Sequence, residues 1–309
     1  MARGNNFGAG SRDMVKAATF TMKREALAGH VSFKTADDLS NRFSQFADFA
    51  RSNGVQYAEQ ITPELVRSWG QSLAESNLAV STQQNYISAV NSVMTTLTRG
   101  NWQSVSPTRD CGVQERTHVR SEPVNTQKSP LDGVVSALRS AGLGRAASVG
   151  ELAREFGLRS KEASLIDARS ALREAQFSSS ISVSRGTKGG RLREIPVTQP
   201  SQISALERAA RVQGNAQSLV SPDKSLAEFR NTDLRALRDE LKAVGFSGIH
   251  DLRAAYAASR YEALTGHPPP CNGGKITDRE LDRSARIQIA AELGHGRIDV
   301  VNAYVGGRG

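Results

Sequence analysis

ELGHGRIDVVNAY, residues 292–304, sets His295 inside a Gly-His-Gly turn and Tyr304 nine residues beyond it. Alone, neither residue means much, since turn histidines and surface aromatics occur in proteins of every function. Three earlier pieces change its weight. EFGLRSKEASLID (155–167) contains Arg159 and Glu162. TKGGRLREIPV (187–197) contains Lys188, Arg191 and Arg193, with Arg185 just before it. HDLR (250–253) pairs His250 with Arg253. A lone H-x-x-R is an ordinary accident. Arginines, histidines, a lysine and a tyrosine in this order are not explained by independent accidents.

Around these pieces the chain reads as mainly α with a small β-hairpin. Leu39, Phe43, Phe46 and Ala50 recur at spacings of four, three and four, one face of a helix. Thr62 followed by Pro63 is a helix start, a capping side chain before a residue with φ already set. The helix it opens buries Leu65, Val66, Trp69 and Leu73. Ser81 with Gln84 matches a capping box, opening a run striped by Tyr86, Val90, Val93, Met94 and Leu97. Residues 13–100 therefore predict a bundle of about four helices after a flexible stretch, 1–12. Residues 101–130 are polar and aperiodic and read as an interdomain linker. Helical patterns resume at Leu131 and continue through 309, interrupted over 180–197. There Ile181 and Val183 alternate with polar residues, GTKGG supplies turn chemistry, and Leu192 and Ile195 begin a return strand. That predicts a hairpin with a basic tip. No internal repeat is visible.

At 309 residues the chain can bury the cores of two ordinary domains. Its 40 Lys and Arg against 31 Asp and Glu give a net charge of +9. Such an excess favours a polyanionic partner, nucleic acid first, because cations that meet phosphates release condensed counterions. A membrane surface is the rival, but no apolar run approaches the ~20 residues that span a bilayer. The N-terminal MARGNNFGAGSRD lacks the apolar core of a signal peptide, so a cytoplasmic location is expected. Cys111 and Cys271 are too few and too far apart for a disulfide framework or zinc site. His267 lies near Cys271 in HPPPC (267–271), but the prolines make a rigid turn and no second ligand pair is close. No metal or cofactor is expected.

The ordered set resembles the signature of the tyrosine recombinases, the phage integrase family. That signature is an Arg in G-L-R-x-x-E, a hairpin Lys, H-x-x-R, L-G-H and a Tyr shortly downstream. The resemblance covers residues 145–304, and the bundle over 13–100 is similar to the family's core-binding, SAM-like domain. It implies a catalytic domain over 131–309 and a two-domain clamp on double-stranded DNA. It further implies a site-specific recombinase that integrates or excises a mobile element as a homotetramer on paired sites, with an accessory DNA-bending protein as a further partner. Tyr304 would attack the phosphodiester, forming a 3′-phosphotyrosyl link. Arg159 and Arg253 would hold the non-bridging oxygens, Lys188 would protonate the departing 5′ oxygen, His250 would assist near the tyrosine, and His295 would hydrogen-bond the phosphate. Arg185, Arg191 and Arg193 would bind DNA phosphates. The chemistry suits these types: a phenol can carry the phosphate, guanidinium forks donate paired hydrogen bonds to it, and positioned positive charge is the largest catalytic contribution in phosphoryl transfer. Two other readings stay open: a recombinase that resolves dimers or passes strands, and a non-catalytic DNA-binding accessory protein on the same scaffold.

The chain departs from the family pattern in two places. Between Arg253 and His295 lie 41 residues, more than the family's usual spacing, and the excess maps to 265–286. Only VGGRG follows Tyr304, where many relatives continue into a helix that docks on a neighbouring protomer. The extra segment is expected either to contact a neighbouring protomer or DNA, or to be a surface insertion tolerated because loop-closure entropy grows slowly with length.

Overall fold

The computed structural model describes residues 5–308, without the side chain of Lys188. The chain divides into two compact units between Thr117 and His118. The first holds α1 (Met14–Leu27), α2 (Phe33–Ser52), α3 (Pro63–Ala74) and α4 (Val80–Leu97). The α2 face falls as its periodicity dictates, with Phe43, Phe46 and Ala50 buried and Leu39 half-buried. Phe46 meets Trp69 edge-on, ring centroids 5.1 Å apart. Thr62 caps α3, its hydroxyl oxygen accepting from Leu65 N at 3.3 Å. The expected box at Ser81 does not form. Helix α4 begins one residue earlier, at Val80, without a side-chain cap, and Gln84 Nε2 donates instead to the Gln114 carbonyl at 2.8 Å.

Two boundaries differ from the sequence reading. Residues 5–12 are held rather than free: buried Asn6 accepts from Ala58 N at 2.6 Å. The Glu59 carboxylate accepts from Asn5 N and Phe7 N, at 3.2 and 2.7 Å. Residues 1–4 of the expected flexible stretch lie outside the described residues. The stretch expected as a linker, 101–130, is shared between the units. Val105, Cys111 and Val113 join the first core, and Val124 joins the second. The Val124 backbone exchanges two hydrogen bonds with the Asn272 side chain, at 2.7 and 2.9 Å. Isolated apolar residues dock this stretch, which is why it shows no period.

The second unit contains α5 (Ser129–Ser140), α6 (Gly144–Phe156), α7 (Ser160–Leu165) and α8 (Ala168–Ser178), then β1 (Ser180–Val183) and β2 (Arg193–Pro196). There follow α9 (Pro200–Gln213), α10 (Leu226–Asn231), α11 (Asp233–Ala243), α12 (Ile249–Thr265), α13 (Arg279–Glu292) and α14 (Asn302–Val305). Helices α6 and α12 pack together at the centre and bury most of their surfaces. The strands are antiparallel, with Ile181 opposite Ile195 and Val183 opposite Arg193. The long segment between Arg253 and His295 is built into this unit. Cys271, Asp282, Ala285 and Arg286 are all buried, so its inward side is not a surface insertion.

Candidate active site

Four local structures bring the expected residues together. Helix α6 ends at Gly157, whose φ of 60° is left-handed. A Cβ there would stand 2.5 Å from Tyr256 and 2.8 Å from Leu293, so only glycine fits. Arg159 follows in extended conformation just before α7 and is half-buried. Helix α12 opens with Asp251 accepting from Ser247 N at 2.7 Å, and its first two turns carry exposed His250 and fully buried Arg253. Helix α13 ends at Gly294 (φ 67°), after which His295 N reaches back to the Ala290 carbonyl at 2.8 Å. That left-handed stop is what the L-G-H residues encode.

These elements converge on Tyr304, which is 4% exposed. Arg253 Nε donates to its hydroxyl at 3.2 Å, and His295 Nε2 stands 3.3 Å from the same oxygen. The His250 ring lies on another side, its centroid 5.4 Å from the tyrosine's. Arg253 is anchored by donating to the Gly157 carbonyl and, at 2.6 Å, to the Leu293 carbonyl. Its Nη2 also lies 3.3 Å from His295 Nε2. A guanidinium can only donate, so Nε2 is the accepting nitrogen and Nδ1 carries the proton. Burial, then Arg253 and Arg159, push the His295 pKa down to about 4. The imidazole is therefore neutral at physiological pH and free to accept. His250 is lowered too, by the atoms crowded around it despite its exposed surface and then by Arg253.

Beneath the arginines lies Glu162, with no solvent exposure. Its oxygens accept from Arg159 Nη1 and Arg159 N, each at 2.7 Å, and from Arg193 Nη1 and Nη2 at 3.0 and 2.7 Å. Arg253 Nη1 stands 3.9 Å away. Burial alone would raise this carboxyl's pKa, but Arg193 and then Arg159 outweigh it and hold it at about 2. Arg193 is thus corrected from DNA contact to internal strut. It is 7% exposed, and its Nε donates to the Glu292 carbonyl at 2.9 Å. Three of its five N–H donors are thereby committed to the Glu162 carboxylate and the Glu292 carbonyl. The other hairpin arginines are exposed. Arg185 Nη1 donates to the Gln217 carbonyl at 2.9 Å, and Arg191 Nη1 lies against Gly296 in the His295 turn. The Lys188 side chain lies outside the described residues; its backbone is in the short turn Lys188–Gly190. Among the described residues no cluster of His, Cys, Asp or Glu could hold a metal, and no helix is long and apolar enough to cross a membrane.

The sequence reading gave Glu162 no task and misassigned Arg193. For Arg193 a signal existed. It shares parity with Ile195, and alternate residues of a strand share a face. Leu192, read with Ile195 as beginning the return strand, has the opposite parity and is 69% exposed.

Residues 123–259 match the integrase family. No curated protein matches the chain by sequence. Among solved structures, the XerH site-specific recombinase bound to palindromic difH substrate in a post-cleavage complex aligns with 94% of this chain and 81% of its own. The identity is 13% and the TM-score 0.63. A lambda integrase dimer bound to a COC′ core site aligns over 94% and 95%, with 16% identity and a TM-score of 0.61. The Tn1549 transposon integrase in complex with transposon right end DNA aligns over 94% and 95%, with 12% identity and a TM-score of 0.59. At such identities these likenesses are of fold. The matched segment carries Arg159, Lys188, His250 and Arg253, and over 94% of its length the chain is similar in fold to these recombinases and integrases.

Proposed function

We propose that this chain cuts and rejoins double-stranded DNA at a defined site with Tyr304 as nucleophile. The observation that carries the reading is the meeting of Arg253 Nε and His295 Nε2 on one phenol oxygen, at 3.2 and 3.3 Å. Arg253 donates to the attacking oxygen, and neutral His295 is the nearest acceptor for the proton that must leave. The Tyr304 oxygen bonds to phosphorus and the 5′ oxygen departs with a proton from Lys188. A 3′-phosphotyrosyl link results. A 5′-hydroxyl from another strand reverses these steps, so the bond energy is kept and no nucleotide cofactor is consumed. Arg159 and Arg253 hold the non-bridging oxygens, both aligned by Glu162 beneath them. Arg185 and Arg191 bind flanking phosphates, positioning contacts that carry no sequence information themselves.

At the level of the assembly, the helical first unit and the catalytic unit clamp the duplex, and four copies join two sites to integrate or excise a mobile element. The fold shared with a lambda integrase solved as a tetramer on a Holliday junction supports this. The test uses fragmented DNA from the source genome. Protein incubated with it, denatured and recovered with covalently attached DNA should yield one recurrent site with inverted arms. Adducts scattered without a common sequence would contradict site specificity, and absence of any adduct would contradict the enzyme.

A further inference from the structure

Tyr304 rides on α14, a helix of only four residues. So short a helix cannot hold itself, because nucleation is the costly step of helix formation. Arg286, on α13, supplies the missing hold. It is fully buried. Its Nη1 donates to Asn302 Oδ1 at 2.7 Å and to the Gly306 carbonyl at 2.9 Å, and its Nη2 to the Gly307 carbonyl at 3.5 Å. Those acceptors bracket Tyr304 in the chain, before and after it. Buried Asp282, one helical turn earlier, fixes the guanidinium from behind. Its Oδ1 accepts from Arg286 Nε at 2.7 Å and from the Tyr261 hydroxyl at 2.8 Å. A buried ion pair is seldom more stable than an apolar pair of equal volume, so stability is a weak reason for one here. A planar fork meeting several acceptors is a strong one, since an ammonium cannot reproduce it.

We propose that Arg286, backed by Asp282, is a positioning residue for DNA cleavage. It clamps the chain on both sides of Tyr304 and thereby sets where the nucleophilic oxygen stands against Arg159 and Arg253. It acts through Asn302 and the backbone, not through the phenol. The inference rests on the reading of Tyr304 as nucleophile, and it gives the long segment between Arg253 and His295 a task within its own chain.

Two reactions on the protein's own DNA site test it. In cleavage, the Tyr304 oxygen bonds to phosphorus and the 5′ oxygen leaves. In joining, a DNA end bearing a 3′-(4-nitrophenyl) phosphate is attacked by a 5′-hydroxyl. The new phosphodiester forms, nitrophenolate leaves, and the tyrosine takes no part. Arg286→Lys should slow cleavage at saturating DNA roughly tenfold to a hundredfold, the scale of a small nucleophile displacement. DNA affinity and nitrophenolate release should stay near wild type. Asn302→Ala removes one acceptor while sparing the Arg286–Asp282 pair, and should show a smaller effect of the same kind even if Arg286→Lys folds poorly. Parallel loss of both reactions in both variants would reduce Arg286 to a support of the fold. A wild-type adduct with unimpaired cleavage by both variants would overturn the clamp alone. No adduct from the wild type would overturn the nucleophile, and the clamp with it.

Discussion

The Tyr304 hydroxyl sits between a group that can only donate, Arg253, and one whose accepting nitrogen faces it, His295. Arg253→Lys keeps one charge but loses the fork, and cleavage should fall roughly a hundredfold to a thousandfold, as when a preorganised donor is removed. A single-turnover assay reads this; an unchanged rate would mean that Arg253 serves only packing. His295 has a consequence for stability with a definite sign. Its pKa is about 4 in the folded chain against an ordinary 6.5. Between those values the unfolded chain binds a proton that the folded one refuses, so stability falls as pH drops from 6.5 toward 4. His250 acts in the same direction. Thermal melts across that window should decline in the wild type and decline less in His295→Gln. Lys188 is tested through its leaving group. Lys188→Ala should be rescued by a 5′-bridging sulfur, which departs without a proton, whereas Arg191→Ala should show no such selective rescue. These candidate residues were legible because chemistry restricts their types and chain order keeps them recognisable. The contacts among them were not, since a sequence does not say which nitrogen of an imidazole faces which oxygen.

Among the elements, the hairpin shows most clearly what the sequence hides. Its existence followed from alternation and turn glycines, but the inward face depends on register, and a shift of one residue exchanges the faces. Register puts Arg193 opposite Val183 and under the site. There it links β2 to Glu162 and to the Glu292 carbonyl at the end of α13. Glu162 falls from 4.5 to about 2 on folding, which contributes about 3 kcal/mol at neutral pH. That contribution is complete above pH 4.5 and is lost as pH falls toward 2. Glu162→Gln leaves buried arginines without their counter-charge and should cost about 3–5 kcal/mol of stability in denaturant unfolding. Arg193→Ala should likewise destabilise, whereas Arg191→Ala should leave unfolding unchanged and reduce the salt slope of DNA affinity by about one contact. Equal stability of the two arginine variants would return Arg193 to the surface. The Asp282–Arg286 spacing was visible as an i,i+4 acid–base pair, but such pairs usually decorate exposed helix faces. Only packing reveals that this one is buried.

For the whole molecule, the mainly α architecture and the division into two units were legible from periodicity. The boundary was not, because residues 101–130 dock through scattered side chains such as Val105, Cys111, Val113 and Val124 rather than through a repeating stripe. The net charge of +9 pointed to a polyanion but not to chemistry. What makes the molecule an enzyme in this account is one oxygen, and the most direct measurement is made there. The protein is incubated with a nicked suicide duplex of its own site, digested, and the DNA-linked peptide is sequenced by mass spectrometry. The account predicts a single adduct on Tyr304, and a Tyr304→Phe protein that binds the same duplex with unchanged affinity and forms none. An adduct on any other residue, or strand cleavage by Tyr304→Phe, would contradict it.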